Sequence, residues 1–296
     1  MRTPGLGERH PAAWRALRHA FVALCLVVDV YLLYLIVVRG GGISHDSAAY
    51  WAIDLADPYT GVMGEAGAFL YSPVFAQLMA PTGLVPWPIF LASWTALQLA
   101  CVVFVAGRQW PWVLVLPPVF FEVLVGNVHL LYAAAIVLGF RHPWTWSLML
   151  LTKITPGVGL LWFAVRREWR ALLVALGFTA MVVAISFLID PGIWRQWFDL
   201  LATHLDRPTP ALASVHVPLA VRLPAAAILV AWGARTDRPW VLPLAVYLSQ
   251  PTVWLASLSI LIAILPLRGE HGRALAAGRP AYWQRGNRPT GWGIIS

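Results

Sequence analysis

The chain has 296 residues, of which 59% are hydrophobic and only 11% are charged. Because soluble domains carry roughly a quarter charged residues, this composition excludes a water-soluble globule and predicts a membrane protein. The formal net charge of +8 does not indicate nucleic-acid binding. The basic residues cluster in short segments between apolar runs, as in membrane proteins, and no helix-turn-helix, zinc-finger or RNP-like pattern accompanies them.

The first apolar run covers residues 20–38 and follows a basic N-terminal segment, 1–19. It is long enough to cross a bilayer. Arg39 and three glycines follow it in place of a small-residue cleavage pattern. We therefore interpret it as a retained transmembrane helix rather than a signal peptide. The next segment, 39–68, is polar and acidic and is predicted to be an outer loop.

Eight further apolar runs follow, at 69–84, 88–106, 111–140, 143–165, 171–189, 217–233, 239–250 and 252–267. We expect the first of these runs to return to the cytoplasm and the second to leave it, with 108–110 as a minimal outer connection. The stretch 111–140 is interrupted at Gly126-Asn127, which favours two short helices over one long helix. Residues 166–170 form a basic inner turn, and 190–216 a second outer loop.

These runs predict an all-α, polytopic transmembrane bundle of about ten helices over residues 20–267. The remainder, 268–296, is rich in Gly and Arg and is predicted to be a basic cytoplasmic tail without stable structure. Most Lys and Arg residues lie in the segments predicted to be inside. The positive-inside rule therefore places both termini in the cytoplasm and the bundle in the plasma membrane.

The acidic first loop contains Asp46, about eight residues after the first helix. A carboxylate near the membrane surface can act as a general base for a hydroxyl group that arrives at that face. The alternative is an ordinary solvated loop acid. Asp54 and Asp57 come later in the loop, near the turn-forming Pro58, and are weaker candidates for the same role.

Two positions inside apolar runs are polar. At the Gly126-Asn127 break, freed backbone groups need partners from the protein or from a wet cavity, although a packing kink would also explain it. Lys153 lies within the run 143–165, where an unpaired charge is costly. It can bind a lipid phosphate, or it can form an ion pair with Asp29 or Glu122.

The second outer loop ends at His216, at the predicted membrane boundary. A histidine there can carry a proton or bind phosphate, but a lone interfacial histidine is also commonly incidental. Cys25 and Cys101 lie inside apolar runs, so we interpret them as buried thiols. We predict no cofactor and no metal ligands, and leave a divalent metal ion open.

Taken in their order along the chain, the motifs of this sequence resemble those of the GT-C glycosyltransferases that use polyprenyl-phosphate sugars. They are most similar to the actinobacterial branch that contains the mannosyltransferases of phosphatidylinositol mannoside synthesis. The residues that carry the resemblance are His45-Asp46 with Tyr50, Tyr71-Ser-Pro73, Gly126-Asn127, Lys153-x-x-Pro156 and the basic turn 166–170.

The resemblance implies a GT-C-like catalytic domain with a lipid-facing groove and an active site on the non-cytoplasmic side. Asp46 would be the base, Lys153 would bind the donor phosphate, and His216 would match the outer-loop histidine of related enzymes. Tyr50, Tyr71 and Asn127 are further candidates for binding substrate. The implied partners are a polyprenyl-phosphate sugar donor, a lipid or glycan acceptor, and the membrane lipids around them.

The residues allow two other functions. A transporter or flippase of lipid-linked substrates would use Asp29, Glu122 and Lys153 within the membrane, but no repeat relates the two halves of the sequence. A non-catalytic scaffold would leave Lys153 and the acidic loop unexplained. Direct displacement of the sugar with inversion requires one base, which Asp46 supplies.

Overall fold

The computed structural model describes residues 11–38, 42–59, 61, 68–204 and 215–277. Within these ranges the chain forms helices and no strand, so the all-α prediction is confirmed. The α-helices are α1 Pro11–Val38, α2 His45–Trp51, α3 Pro73–Met79, α4 Trp87–Ala106, α5 Trp110–Leu114, α6 Pro117–Val125, α7 His129–Leu138, α8 Ser147–Thr152, α9 Leu161–Val165, α10 Trp169–Ile189, α11 Pro191–His204, α12 Leu219–Arg235, α13 Val241–Leu248, α14 Ile264–Leu267 and α15 Gly269–Ala276. Short 3-10 helices cover Ala80–Leu84, Gly107–Gln109, Pro143–Trp146, Thr155–Leu160 and Ala256–Ala263.

Three of the described helical segments are long and apolar enough to cross a membrane: Arg15–Val38, Trp87–Leu114 and Trp169–Ile189. A fourth span results if α6 and α7 count as one broken segment, since they are bent by 112° at the break. Most other described helices are too short to cross a bilayer, because an α-helix rises only about 1.5 Å per residue. The expected number of about ten spanning helices is therefore not confirmed, and the helical segments are more numerous and shorter.

The break at Gly126-Asn127 falls where the sequence predicted it. Gly126 ends α6 in the left-handed region, with φ of 77°. A Cβ atom added there would lie 2.5 Å from the Ser47 hydroxyl, so glycine meets both the backbone conformation and the close contact with α2. This contact brings the first loop against the broken helix.

The segment 69–84 does not cross the bundle, and this expectation was wrong. It forms α3 and a 3-10 turn of seven and five residues. The Trp51 indole donates to the backbone oxygen of Val85 (2.7 Å), and the Trp51 and Trp87 ring centroids are 5.5 Å apart. The start of α4 therefore lies at the same end of the bundle as α2, which we call the Asp46 end.

The direction of α4 is consequently the reverse of the expected one. Its continuation reaches Trp112, whose ring lies 5.7 Å from the Arg18 guanidinium near the start of α1. The connection 108–110, expected outside, thus lies at the end that carries Arg18. This placement puts Arg108 with the other basic residues of that end, as the positive-inside rule prefers.

Two further expectations change. The loop predicted at 190–216 begins with the helix α11, whose Ile193, Trp194 and Trp197 are buried. The first residues of the tail predicted to lack structure form α15, because Leu275 and Ala276 pack into the core. The segments 1–10, 39–41, 60, 62–67, 205–214 and 278–296 of the predicted N-terminus, outer loops and tail lie outside the described residues.

The predicted orientation can be measured with single cysteines. Ala202 in α11 and Ala277 after α15 are both exposed, while Cys25 and Cys101 are buried and give a low background. We expect a membrane-impermeant maleimide to label Ala202→Cys in intact cells and Ala277→Cys only after permeabilisation. Labelling of Ala277→Cys in intact cells would contradict the inside location of the C-terminal segment.

Candidate active site

Asp46 lies in the first turn of α2 and is held against the broken helix. The Asn127 side-chain amide donates to its Oδ2 atom (2.6 Å). Next to it, the backbone N–H of Ser44 donates to the carbonyl of Leu124 (2.6 Å). The Asp46 side chain keeps 28% of its surface exposed. One carboxylate oxygen is thus fixed by the protein, while the group as a whole still reaches solvent.

Asn127 connects Asp46 to two tyrosines. Its Oδ1 atom accepts from the backbone N–H of Val128 (2.7 Å) and from the Tyr71 hydroxyl (3.1 Å). The Tyr71 hydroxyl also bonds the Tyr50 hydroxyl (2.7 Å). Four of the residues singled out by the sequence therefore form one continuous hydrogen-bonded chain, and we call Tyr50, Tyr71, Asn127 and Asp46 the Asp46 chain.

Tyr50 and Tyr71 are buried, with 1% and 6% of their surface exposed. Tyr50 packs edge-on against the rings of Phe69, Phe75 and Trp94. Burial raises the pKa of both phenols well above the usual value, so they remain protonated. This position favours a role in holding Asn127 over the direct contact with substrate that the sequence suggested.

Lys153 lies beside the same chain. Its ammonium group is 5.1 Å from the centroid of the Tyr71 ring. The backbone becomes extended at Lys153, and the N–H of Ser72 donates to the carbonyl of Thr152 (3.3 Å), which fixes this segment next to Tyr71. In the described part of the chain, no carboxylate lies within ion-pair distance of Lys153.

The two acids considered as partners of Lys153 are placed elsewhere. Glu122 is fully buried and bonds His129 twice, at its backbone N–H (2.7 Å) and at ring Nδ1 (2.9 Å). The ring Nε2 of His129 lies 3.3 Å from the Ser257 hydroxyl. Asp29 is buried in α1, and its Oδ1 atom has no hydrogen-bond partner among the described residues.

The Glu122–His129 pair was not found from the sequence. The two residues are seven positions apart, which in a straight helix is about two turns, or about 10 Å along the axis. The 112° bend between α6 and α7 shortens this separation to hydrogen-bond distance. Two side chains of α4 donate hydrogen bonds to backbone carbonyls at the break. The Trp94 indole donates to the carbonyl of Gly126 and the Gln98 amide to that of Asn127, each at 2.8 Å. The freed backbone groups are therefore bonded by the protein.

Removing Glu122 should cost more stability than removing a surface acid. Breaking a fully buried pair leaves an unpaired polar group, at a cost of about 3–5 kcal/mol. We expect Glu122→Ala to lower the unfolding temperature in detergent strongly. Glu168→Ala, which breaks the partly exposed pair with Arg166 (2.7 Å), should cost under about 1 kcal/mol. Equal effects of the two variants would show that the Glu122–His129 pair does not hold the break.

His216 is not brought into the Asp46 chain. It is exposed, and within the described ranges it forms no hydrogen bond or ion pair. Its neighbour Val217 is fixed, since the buried Arg222 donates to its carbonyl (2.7 Å) and to those of Leu248 and Gln250. The role predicted for His216 remains a prediction.

The other acids of the first loop, Asp54 and Asp57, are exposed. Asp54 accepts from the backbone N–H of Ala56 (2.9 Å), a local turn contact. In the part of the chain that the structure describes, no three His, Cys, Asp or Glu side chains group together as metal ligands do.

The class of protein follows from this geometry. An apolar helical bundle holds a carboxylate and a lysine, without an ion-pair partner among the described residues, together at one end. It is therefore a membrane protein with a polar site. The family follows from sequence comparison. The sequence model of glycosyltransferase family 87 matches residues 69–279, well over half of the chain, and the chain belongs to this family. The matched range includes Tyr71, Asn127 and Lys153 but begins after Asp46.

A relative with a known activity agrees with the family. The chain is similar to a polyprenol-phosphate-mannose-dependent alpha-(1-2)-phosphatidylinositol mannoside mannosyltransferase of Mycobacterium tuberculosis, with 30% identity over 139 residues. The match covers 43% of this chain and 31% of the relative, so the chain spans about a third of the relative's length. No solved structure matches the chain. The resemblance inferred from the motifs is confirmed at the level of the family.

Proposed function

We propose that the chain is a membrane glycosyltransferase that moves a sugar, a mannosyl or related unit, from a polyprenyl-phosphate donor to a hydroxyl group of a lipid or glycan acceptor. Membership of glycosyltransferase family 87 and the name of the mycobacterial relative support the donor class. The observation that carries the proposal is the position of Asp46, which is held at one oxygen by Asn127, while Lys153 lies over the Tyr71 ring of the same Asp46 chain.

The proposed reaction is a direct displacement. The Oδ1 atom of Asp46, which Asn127 does not occupy, accepts the proton of the acceptor hydroxyl as its oxygen attacks the anomeric carbon. The bond from that carbon to the phosphate oxygen breaks, and the polyprenyl phosphate leaves. One attack from the opposite face inverts the anomeric centre. A retaining mechanism would use a second carboxylate about 5–5.5 Å away, and Glu122 is already committed to His129.

Lys153 is proposed to bind the donor phosphate. Within the described residues it has no ion-pair partner, and its ammonium group lies over the Tyr71 ring, a contact that leaves its N–H donors available. An ammonium group there stabilises the negative charge that grows on the leaving phosphate. The exposed His216 is a second candidate for the same phosphate.

The proposal is tested with membranes from a host that lacks this activity. Membranes containing the chain are incubated with polyprenyl-phosphate mannose, radiolabelled in the sugar, and with extracted membrane lipids as acceptor. We expect label in a new glycolipid, and an anomeric configuration opposite to that of the donor. Label that stays on the polyprenyl carrier but crosses the bilayer would support a flippase instead.

A further inference from the structure

The hydrogen bonds of the Asp46 chain have one direction. Asn127 Oδ1 accepts from the backbone N–H of Val128, a group that can only donate, which fixes the orientation of the amide. Its nitrogen therefore faces Asp46 and donates. The Tyr71 hydroxyl contacts the same Oδ1 atom, an atom that can only accept. Tyr71 consequently uses its single proton on Asn127.

It follows that Tyr50 donates to Tyr71. The two hydroxyl oxygens are 2.7 Å apart, and the only proton left for that bond is the one on Tyr50. The order of donation is Tyr50 to Tyr71, Tyr71 to Asn127, and Asn127 to Asp46. Each donor in such a series polarises the next one, and the series ends on a charged oxygen through a short bond of 2.6 Å.

We propose that Tyr50 is a positioning residue for Asp46, acting through Tyr71 and Asn127, and that this one-way chain reserves Oδ1 as the oxygen that takes the acceptor's proton. The inference rests on the proposed function for the identity of that proton. It assigns Tyr50 a role other than binding substrate, since Tyr50 is buried in an aromatic cluster formed with Phe69, Tyr71, Phe75 and Trp94.

Other charged groups around Asp46 must be separated from this effect. On its own helix, His45 Nε2 is 3.7 Å from Asp46 Oδ1, while His45 Nδ1 is 3.2 Å from the carbonyl of Gly42. Lys153 faces the chain from the segment after α8. Glu122, from α6, is bonded to His129. None of these contacts involves the Tyr50 hydroxyl, so its removal changes the chain alone.

The aromatic cluster allows a clean substitution. The Tyr50 ring contacts Phe75 and Trp94 with centroids 5.1 and 5.4 Å away, and Tyr50→Phe keeps that ring. Tyr59→Phe is the matched control. The Tyr59 hydroxyl donates to the backbone carbonyl of Tyr71 (3.1 Å). Tyr59→Phe therefore also removes one hydrogen bond of a tyrosine hydroxyl, but this bond is to the backbone and is not one of the side-chain bonds of the Asp46 chain.

The expected readout is the division of the effect between kcat and KM in sugar transfer. Without the proton of Tyr50, Tyr71 and Asn127 are less polarised, and Asn127 donates more weakly to the Asp46 carboxylate. Tyr50→Phe should therefore lower kcat by roughly 3- to 10-fold, with the KM for the donor unchanged. Tyr59→Phe should leave both kcat and KM unchanged.

The coupling is tested by combining variants. Tyr71→Phe interrupts the chain nearer to Asp46 and should have the larger effect. Adding Tyr50→Phe to it should then change kcat by less than two-fold, since the proton of Tyr50 no longer has a route to Asn127. If the two losses of kcat multiply independently, or if Tyr50→Phe does not lower kcat, the proposal is overturned.

A measurement without catalysis separates this inference from the proposed function. The infrared carboxylate stretch of Asp46, identified by its absence in Asp46→Asn, is recorded in detergent, and its frequency reports the hydrogen bonds that the carboxylate accepts. We expect this band to shift in Tyr50→Phe and not in Tyr59→Phe. If this shift occurs in a protein that transfers no sugar, the chain stands and the proposed function fails. An unchanged band in an active enzyme rejects the chain and leaves the function intact.

Discussion

Asp46→Asn is expected to slow sugar transfer by about 10²–10⁴-fold, the usual effect of removing a general base. The substitution keeps the shape of the side chain and removes its basicity. Asn127 still has a side-chain oxygen to donate to, so the contact between α2 and the broken helix is retained. Donor binding should persist, because in the proposed reaction the donor is held by its prenyl tail and by Lys153, independently of Asp46. Transfer rates with radiolabelled donor, together with donor-binding measurements on the same preparations, check both parts.

Two acids of the same loop are the matched controls. Asp54 and Asp57 are exposed, and within the described ranges neither has a contact with the Asp46 chain. Asp54→Asn and Asp57→Asn should change transfer by less than about three-fold, as ordinary surface substitutions do. Near-normal transfer by Asp46→Asn would eliminate Asp46 as the base and favour a transport function.

Lys153→Met has the second-largest expected effect. Removing a cation that stabilises a developing oxyanion typically costs about 10²–10³-fold in rate, and the same charge should also contribute to ground-state binding of the phosphate. Both kcat and affinity for the polyprenyl-phosphate donor should therefore fall. A comparison with His216→Ala shows which of the two candidates contributes more to binding the donor phosphate. We expect the exposed His216 to contribute less than Lys153.

Folding must be measured in the same Lys153→Met preparation. Methionine keeps most of the length of the side chain and its contact with the Tyr71 ring, and in the described residues Lys153 has no carboxylate partner to leave behind. The unfolding temperature in detergent should thus be unchanged or higher. A variant that unfolds would assign Lys153 a structural role and remove the main support for a phosphate site.

Local sequence signals predicted the candidate site better than they predicted the path of the chain. The break at Gly126-Asn127 followed from a glycine in an apolar run that was too long for one helix. Asp46 and Lys153 stood out because charged groups at or within the membrane require a reason. The contacts among these residues join positions up to 81 apart in the chain, and no local pattern specifies such pairs.

The direction of α4 shows why topology was harder to predict. Residues 69–84 are apolar enough to suggest a crossing, yet they form α3 and a 3-10 turn packed at the Asp46 end. Hydropathy does not distinguish a lipid-spanning run from one that is buried by protein neighbours. Because 69–84 was expected to cross the bundle, the predicted direction of α4 and the predicted side of the turn after it were both the reverse of the observed ones. The contacts of Trp51 with Val85 and of Trp112 with Arg18 locate the two ends of this helical segment.

The most direct test of the account is a cryo-EM structure with a non-transferable polyprenyl-phosphate sugar analogue. The account predicts the analogue's phosphate within about 4 Å of the Lys153 ammonium, the distance of an ion pair. It also predicts that the anomeric carbon faces a space next to Asp46 Oδ1 into which an acceptor hydroxyl fits. An analogue bound with its phosphate away from Lys153 and its sugar away from Asp46 would contradict the central claim.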